Sequence, residues 1–230
     1  MQRPVNMHAN EWSHRADAVV VLDFETTGLT PRQGDRAIEI GAVKLHRGKV
    51  IDRFQELMNP GIQVSSFIEN YTGISNAMLQ DARSCSAVMA DFADFLGAAS
   101  MVAHNAGFDR RFLEAELARI GRSCSENYGC SLLLTRRVYP QAPSHRLSEL
   151  VAYRQIAPQG RFHRALADAE MTTLLWLQTL DTLAQEHGVH APSFAWIQQL
   201  SRLSKAKCVS YLNTVSQQNA QRDVTSTATA

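Results

Sequence analysis

The chain has 230 residues, of which 45% are hydrophobic and 20% charged, a composition that suits one globular α/β domain with an appendage. Its net charge of +1 argues against a protein that coats long stretches of nucleic acid, although it allows one that grips a strand end. Residues 1–16 are too polar for a secretory signal and no apolar run is long enough to cross a membrane, so we expect a cytoplasmic protein without membrane contact.

The first part of the chain is predicted to form strands. Residues 18–22 are apolar and rich in valine, which is typical of a strand that is buried on both faces. Residues 36–45 and 50–57 also have strand character, and Gly48 permits a turn between them. We therefore predict a three-stranded antiparallel meander.

Helices and one more strand follow. Apolar residues recur at helical spacing in residues 84–96 and 108–120, and between them residues 100–103 form a short apolar strand. Further helices are predicted over residues 131–138, 147–153 and 165–180. Strands first and helices later, with crossovers between them, indicate an α/β fold in which a mixed sheet is flanked by helices.

The end of the chain changes in character. Residues 192–203 can form one more amphipathic helix, whereas residues 216–230 are small and polar and are predicted to be a disordered tail. The four cysteines lack C-x-x-C spacing, so we interpret them as ordinary thiols and expect no zinc site.

A first cluster of polar residues follows the first strand. Asp23 and Glu25 are separated by one residue, and because side chains alternate along a strand, both carboxylates point to the same side. Such a pair is tolerated when it is exposed, when one member is protonated, or when a divalent cation lies between the two. Taken alone, this spacing more often marks a solvated strand end.

A second cluster, H-N-A-G-F-D at residues 104–109, lies where a buried strand gives way to a helix, at the edge of the sheet where the first strand ends. Asp109 can therefore approach Asp23. The structural alternative is that Asn105 caps the helix and Asp109 complements its positive N-terminus.

A third cluster lies at the start of the long helix, where His163 precedes the first turn and Asp168 lies within it. A lone histidine at a helix start is more often structural than catalytic. The combination is more informative, because carboxylates and a histidine from three separate segments are expected at one edge of the sheet.

In this order, D-F-E-T-T-G at residues 23–28, H-N-A-x-F-D and H-x-A-x-x-D at residues 163–168 resemble the motifs of the DEDDh exonucleases. The DnaQ-like group, which includes the proofreading epsilon subunit of bacterial DNA polymerase III, RNase T and oligoribonuclease, is the most similar. The resemblance covers residues 19–180, includes I-E-I-G-A-V at residues 38–43, and implies a ribonuclease H-like fold.

The resemblance implies a role for each matched residue. Asp23, Glu25, Asp109 and Asp168 are expected to hold two Mg²⁺ or Mn²⁺ ions, and His163 is expected to act as the general base. The chemistry agrees with this assignment, because hard oxygen ligands select hard cations and an imidazole can accept a proton from water near neutral pH.

Substrate contacts are predicted beside these residues. Thr26, Thr27, Gly28 and Leu29 form a turn in which glycine lets the backbone approach a strand end and Leu29 can pack on the terminal base. Phe108 can stack on the next base or serve as a core anchor. The predicted substrate-binding set is completed by His104 and Asn105, of which His104 is also suited to holding its loop.

Together, the resemblance and the sequence pattern divide the chain into a polar segment at residues 1–16, an exonuclease domain at 17–182, a helical appendage at 183–215 and the tail at 216–230. The expected activity is two-metal 3′-5′ hydrolysis of single-stranded or frayed DNA to 5′-mononucleotides, in proofreading or repair. The alternatives are an exoribonuclease of the same family, a nuclease-dead nucleic-acid binder and a polymerase-associated interaction subunit.

A polymerase subunit could dock on Phe194, Trp196, Ile197 and Leu200, although these residues can equally pack on their own domain.

Overall fold

A computed structural model of the chain describes residues 15–157 and 163–227. Most of the predicted polar segment at residues 1–16 therefore lies outside the described residues. The strands are β1 (Val19–Thr26), β2 (Ala37–His46), β3 (Lys49–Leu57), β4 (Ser100–Ala103) and β5 (Tyr128–Cys130). The helices are α1 (Ser66–Thr72), α2 (Asn76–Gln80), α3 (Cys85–Leu96), α4 (Gly107–Arg119), α5 (Ser131–Val138), α6 (Leu147–Tyr153), α7 (Ala165–His187), α8 (Phe194–Arg202) and α9 (Lys205–Thr227).

The sheet has the strand order β3-β2-β1-β4-β5, in which the first three strands are antiparallel and β1, β4 and β5 are parallel. This arrangement confirms the predicted mixed sheet with its antiparallel meander. The parallel strands β1 and β4 both end at the same edge of the sheet, where Asp23, Glu25 and the start of α4 lie. Helices cover both faces of the sheet, with one core cluster around Phe92 and Phe112 and another around Trp176.

Helix α7 packs closely on β2. A Cβ atom added to Gly41 of β2 would lie 2.0 Å from the backbone nitrogen of Leu166 and 2.4 Å from its Cα. No side chain fits in that space, so glycine is required where the first turn of α7 crosses the strand. The close contact between α7 and β2 is therefore made at Gly41.

The C-terminal helices pack on the same core. Phe194, Ile197 and Leu200 of α8 are fully buried in the cluster that contains Trp176 of α7. Three of the four residues that were predicted to form a docking surface are therefore buried in their own domain, which was the alternative interpretation. The proposed boundary at residue 182 falls inside α7, which continues to His187.

Two parts of the secondary structure differ from the sequence-based expectation. The backbone is helical in α9 as far as Thr227, over most of the segment for which a disordered tail was predicted, and α9 packs on α7 and α5. Short helices α1 and α2 occupy a stretch without a predicted element. Within the described residues, no helix is long and apolar enough to cross a membrane.

Candidate active site

Two carboxylates of the site lie two residues apart on β1. Asp23 and Glu25 pair across the antiparallel ladder with Gly41 and Glu39 of β2. Since directly opposed residues share a face, all four lie under the first turn of α7. Glu25 is 8% exposed, and Asp23 is partly exposed at the floor of a cavity.

The third carboxylate, Asp109, lies in the first turn of α4 and is almost completely buried. Its Oδ1 accepts a hydrogen bond of 3.2 Å from the backbone N–H of Phe24, which fixes it against β1 between Asp23 and Glu25. The side chain of Asn105 does not cap α4, because the N-cap residue is Ala106 and Asn105 contributes only its carbonyl oxygen, which accepts from the N–H of Phe108. The structure therefore favours the predicted approach of Asp109 to Asp23.

The fourth carboxylate and the histidine come from the start of α7. Oδ2 of Asp168 accepts a hydrogen bond of 3.1 Å from the backbone N–H of His163. His163 has a positive φ of 65°, an uncommon conformation for a residue with a side chain. The ring of His163 packs on that of Tyr71 from α1, with 4.0 Å between the centroids. This histidine is thus held on two sides beside Asp168.

The arrangement offers ligand atoms to a cation. One atom each from Glu25, His163 and Asp168 lies within 4.8 Å of the others. Oδ1 of Asp168 is buried and has no hydrogen-bond partner in the part of the chain that the structure describes. A buried carboxylate oxygen without a donor is costly, and a divalent cation would satisfy it. The oxygen-rich donor set fits Mg²⁺ or Mn²⁺ better than a metal that prefers thiolates.

Burial and mutual repulsion raise the pKa values of these carboxyl groups. Burial, with Asp168 and Glu39 nearby, raises the pKa of Glu25 to about 8. Burial also raises the pKa of Asp109 to about 7 and that of Asp168 to about 6, although backbone N–H groups oppose both shifts. The pKa of Asp23 is raised well above its ordinary value by burial and then by Asp109, Asp168 and Glu25. Near neutral pH the metal-free site therefore retains protons that a bound cation would displace.

These shifts predict how the stability of the metal-free protein depends on pH. The folded protein holds protons that the unfolded chain releases near pH 4, so this contribution to stability is complete below about pH 4 and is lost as pH rises through the folded pKa values of about 6 to 8. In chelator, we expect the unfolding temperature of the wild type to fall relative to Asp168→Asn between about pH 4 and 6, where Asp168 loses its proton, and further towards pH 8, because Asp168 also raises the pKa of Glu25.

Added Mn²⁺ should stabilise the wild type increasingly as pH rises, because the metal binds the deprotonated groups. Calorimetric unfolding scans of both proteins, with chelator and with Mn²⁺, measure these differences. Identical pH profiles for the wild type and Asp168→Asn in chelator would contradict the assignment of raised pKa values to this cluster.

The carboxylates open into a cavity of about 650 Å³ between the loop after β1 and helix α1. Leu29 on the loop is 73% exposed, and Phe67 and Tyr71 on α1 are 71% and 49% exposed. Phe67 and Tyr71 stack with centroids 5.9 Å apart. Three large exposed apolar side chains at the rim of an acidic cavity form a surface suited to unpaired bases. Sequence analysis identified Leu29 but missed the other two, although their i, i+4 spacing is visible.

The loop after β1 is braced by Asp35. Its carboxylate accepts a hydrogen bond of 2.8 Å from the N–H of Thr30, and the hydroxyl of Thr27 lies 3.4 Å from its Oδ1. A Cβ atom added to Gly28 would lie only 2.4 Å from Oδ1 of Asp35. Glycine therefore permits this packing, while Thr26 closes the loop by donating to the carbonyl oxygen of Gly28 at 2.6 Å.

The other predicted substrate residues separate into two groups. Phe108 lines the cavity and also packs on Phe112, with ring centroids 5.0 Å apart, so both of its predicted roles are compatible with the structure. His104 and Asn105 are not among the described residues that line the cavity. His104 instead contacts Ser131 Oγ at 2.8 Å and the carbonyl oxygen of His145 at 2.9 Å, and burial lowers its pKa to about 4. This neutral histidine holds the corner before α4.

Comparison with known proteins adds independent information. Residues 20–176 match the model of the RNase T family, which is described as an exonuclease. The chain is 36% identical over 190 residues to the 3′-5′ exonuclease DinG of Bacillus subtilis, and 36% identical over 174 residues to DNA polymerase III PolC-type of Caldanaerobacter subterraneus. These alignments cover 81% and 76% of this chain but only 19% and 12% of the relatives.

Solved structures share the fold. Exonuclease X in complex with 5′ overhanging duplex DNA is 26% identical with a TM-score of 0.59, and the alignment covers 75% of this chain and 95% of that one. The nuclease domain of 3′hExo, a DEDDh family member bound to rAMP, is 21% identical with a TM-score of 0.63, over 72% and 92% of the two chains. At that identity the second comparison supports the fold alone.

Proposed function

Because this chain belongs to the RNase T family of exonucleases and has the DEDDh motifs, we propose that it is a metal-dependent 3′-5′ exonuclease. The observation that carries the proposal is the convergence of Asp23, Glu25, Asp109, His163 and Asp168 from β1, α4 and α7 at one edge of the sheet. In the proposed reaction, water attacks the last phosphodiester bond of a strand and releases a 5′-mononucleotide.

The four carboxylates are suited to hold two Mg²⁺ or Mn²⁺ ions. When bound, such ions activate water and stabilise negative charge on the phosphate oxygens. The protein's own contribution is to keep four acidic groups together in spite of their repulsion, through the N–H groups that donate to Asp109 and Asp168. These hydrogen bonds orient the carboxylates before the substrate arrives, so little reorganisation is needed during the reaction.

His163 is the proposed general base. Its ring atoms lie near Glu25 and Asp168, and Tyr71 supports one face of the imidazole. An imidazole is a suitable group to accept the proton of the attacking water near neutral pH. The carboxylates next to it would stabilise the imidazolium that forms.

The cavity rim is proposed to select a strand end. Leu29 and Phe108 line it from the loop after β1 and from α4, and Phe67 and Tyr71 line it from α1, so the terminal bases can pack on apolar surfaces. Stacking of this kind requires bases that are unpaired, which favours single-stranded or frayed ends over a closed duplex. Thr26, Thr27 and Gly28 shape the loop that holds Leu29 in place.

DNA is the favoured substrate. The relatives named as a 3′-5′ exonuclease and as DNA polymerase III support a role in proofreading or repair, and they make a polymerase subunit a candidate partner. An exoribonuclease of the same family remains the second candidate function, because the family that matches this chain is described as an exonuclease without reference to DNA or RNA.

A side-by-side digestion tests the proposal. End-labelled single-stranded DNA, duplex DNA with a mismatched 3′ end, fully paired duplex and short RNA are incubated with the full chain and Mg²⁺. We expect the first two to be shortened from the 3′ end with release of 5′-mononucleotides, the paired duplex to be cut more slowly, and RNA least of all.

A 3′-phosphate end provides the matched control, because a cavity that receives a terminal nucleotide should discriminate against added charge beyond it. Equal digestion of blocked and free ends would contradict 3′-end recognition. Faster cleavage of RNA would transfer the proposal to the exoribonuclease branch.

A further inference from the structure

A fifth carboxylate lies beneath the site and is completely buried. Glu39 of β2 is the cross-strand partner of Glu25, and their side chains share one face of the sheet. Two acidic side chains directly opposite each other are unfavourable, and a buried carboxylate requires donors. The sequence motif contains Glu39, but neither the cavity lining nor the proposed metal ligands include it.

The donors to Glu39 come mainly from the start of α7. Arg164 donates from Nη2 to Oε1 at 2.7 Å and from Nε to Oε2 at 3.1 Å, and the backbone N–H of Ala165 donates to Oε2 at 3.0 Å. Gln55 of β3 adds a bond of 3.1 Å to Oε1. The contact between Glu39 and Arg164 is therefore bidentate, which fixes direction as well as distance.

Arg164 and Ala165 stand between the two functional residues of this helix. Arg164 follows His163 directly, and its carbonyl oxygen accepts the helical hydrogen bond from the N–H of Asp168 at 3.0 Å. Two residues beyond Glu39 on β2, Gly41 leaves the space in which this turn lies. The backbone that carries His163 and Asp168 is thus tied to β2 at Glu39.

We infer that Glu39 and Arg164 form a positioning pair that fixes the first turn of α7 over β1 and β2, so that Asp168 and His163 meet Asp23 and Glu25 in the geometry that binds metal. The inference deepens the proposed function and rests on it. Neither residue touches the substrate in this role. Their effect passes through the backbone of α7.

Metal affinity tests the pair without relying on turnover. Mn²⁺ is titrated calorimetrically into the metal-free full chain as wild type, Glu39→Gln, Arg164→Gln and Arg164→Lys. Loss of a residue that orients ligands typically weakens metal binding about 10- to 100-fold, and we expect that range for Glu39→Gln and Arg164→Gln. Arg164→Lys keeps the positive charge but cannot donate the two parallel hydrogen bonds of a guanidinium, so we expect its Mn²⁺ affinity to lie between those of Arg164→Gln and the wild type.

The chain offers a matched control in Glu116 of α4. This residue is also buried, accepts two hydrogen bonds from one arginine, Arg36, at 2.7 and 2.9 Å, and accepts a third from the N–H of Ala37. Glu116→Gln should lower the unfolding temperature about as much as Glu39→Gln, but should leave Mn²⁺ affinity unchanged.

Wild-type Mn²⁺ affinity in both Glu39→Gln and Arg164→Gln would overturn the inference, because the pair would then serve stability alone. Equal weakening by Glu116→Gln would overturn it too. If Glu39→Gln does not fold, the comparison of Arg164→Gln with Arg164→Lys decides, since Arg164 is 33% exposed. Absence of nuclease activity in a wild type that binds Mn²⁺ would contradict the proposed function and leave this test intact.

Discussion

Replacement of Asp23 by alanine is expected to abolish hydrolysis and to increase the stability of the metal-free protein. Asp23 lies beside Asp109, Asp168 and Glu25, all of which raise its pKa. Its carboxylate is therefore repelled by several neighbours, and a bound cation would relieve this repulsion. Metal ions contribute several kcal/mol to the stabilisation of such a transition state, and the loss of that amount corresponds to at least about 10³-fold in rate.

The measurement combines single-turnover cleavage of labelled single-stranded DNA with thermal unfolding at about pH 8 in chelator. At that pH the remaining carboxyl groups should repel each other less in Asp23→Ala, so its unfolding temperature should exceed that of the wild type. Chelation of the wild type should also stop cleavage. Undiminished hydrolysis in excess EDTA would refute the requirement for metal.

Replacement of His163 by alanine is expected to lower turnover while metal and substrate binding persist. The histidine moves a proton in the proposed reaction, and the removal of a general base typically costs about 10²- to 10⁴-fold. Part of the activity should return as pH rises from about 6 to about 9, because hydroxide increasingly replaces the missing base. Added imidazole should also restore some activity, since the alanine leaves space between Tyr71 and Asp168.

Calorimetric titration of Mn²⁺ and single-turnover kinetics over the pH range separate this behaviour from that of Asp23→Ala. The histidine ring lies within 4.8 Å of carboxylate oxygens, so a role as metal ligand makes a competing prediction. A marked loss of Mn²⁺ affinity in His163→Ala would favour the ligand role. Cleavage at the wild-type rate throughout would assign His163 to structure.

The sequence predicted the features that depend on local pattern. Alternation along β1 placed Asp23 and Glu25 on one side, and the shared edge of parallel strands brought Asp109 to them, as the structure confirms. Both deductions need only the geometry of a strand and of a parallel sheet.

Features that depend on distant partners could not be read in the same way. Helices α1 and α2 are short, and the segment that contains them packs on Ile38 of β2 through Val64, Ile74 and Leu79, contacts that a local sequence pattern does not indicate. Strand β5 has three residues, too few for a periodic signal. The pairing of Glu39 with Arg164 joins segments 125 residues apart, and a single sequence does not indicate which buried charges meet.

The close crossing of α7 over Gly41 has a consequence for the protein during its synthesis. The carboxylates of β1 are translated before the start of α7, and Asp168 and His163 follow only after all five described strands of the sheet. Until the first turn of α7 settles into the space above Gly41, the folding chain has Asp23, Glu25 and Asp109 in place but neither His163 nor Asp168. The proposed active site is therefore completed only when this helix packs on the sheet, so its assembly is coupled to the folding of the whole domain.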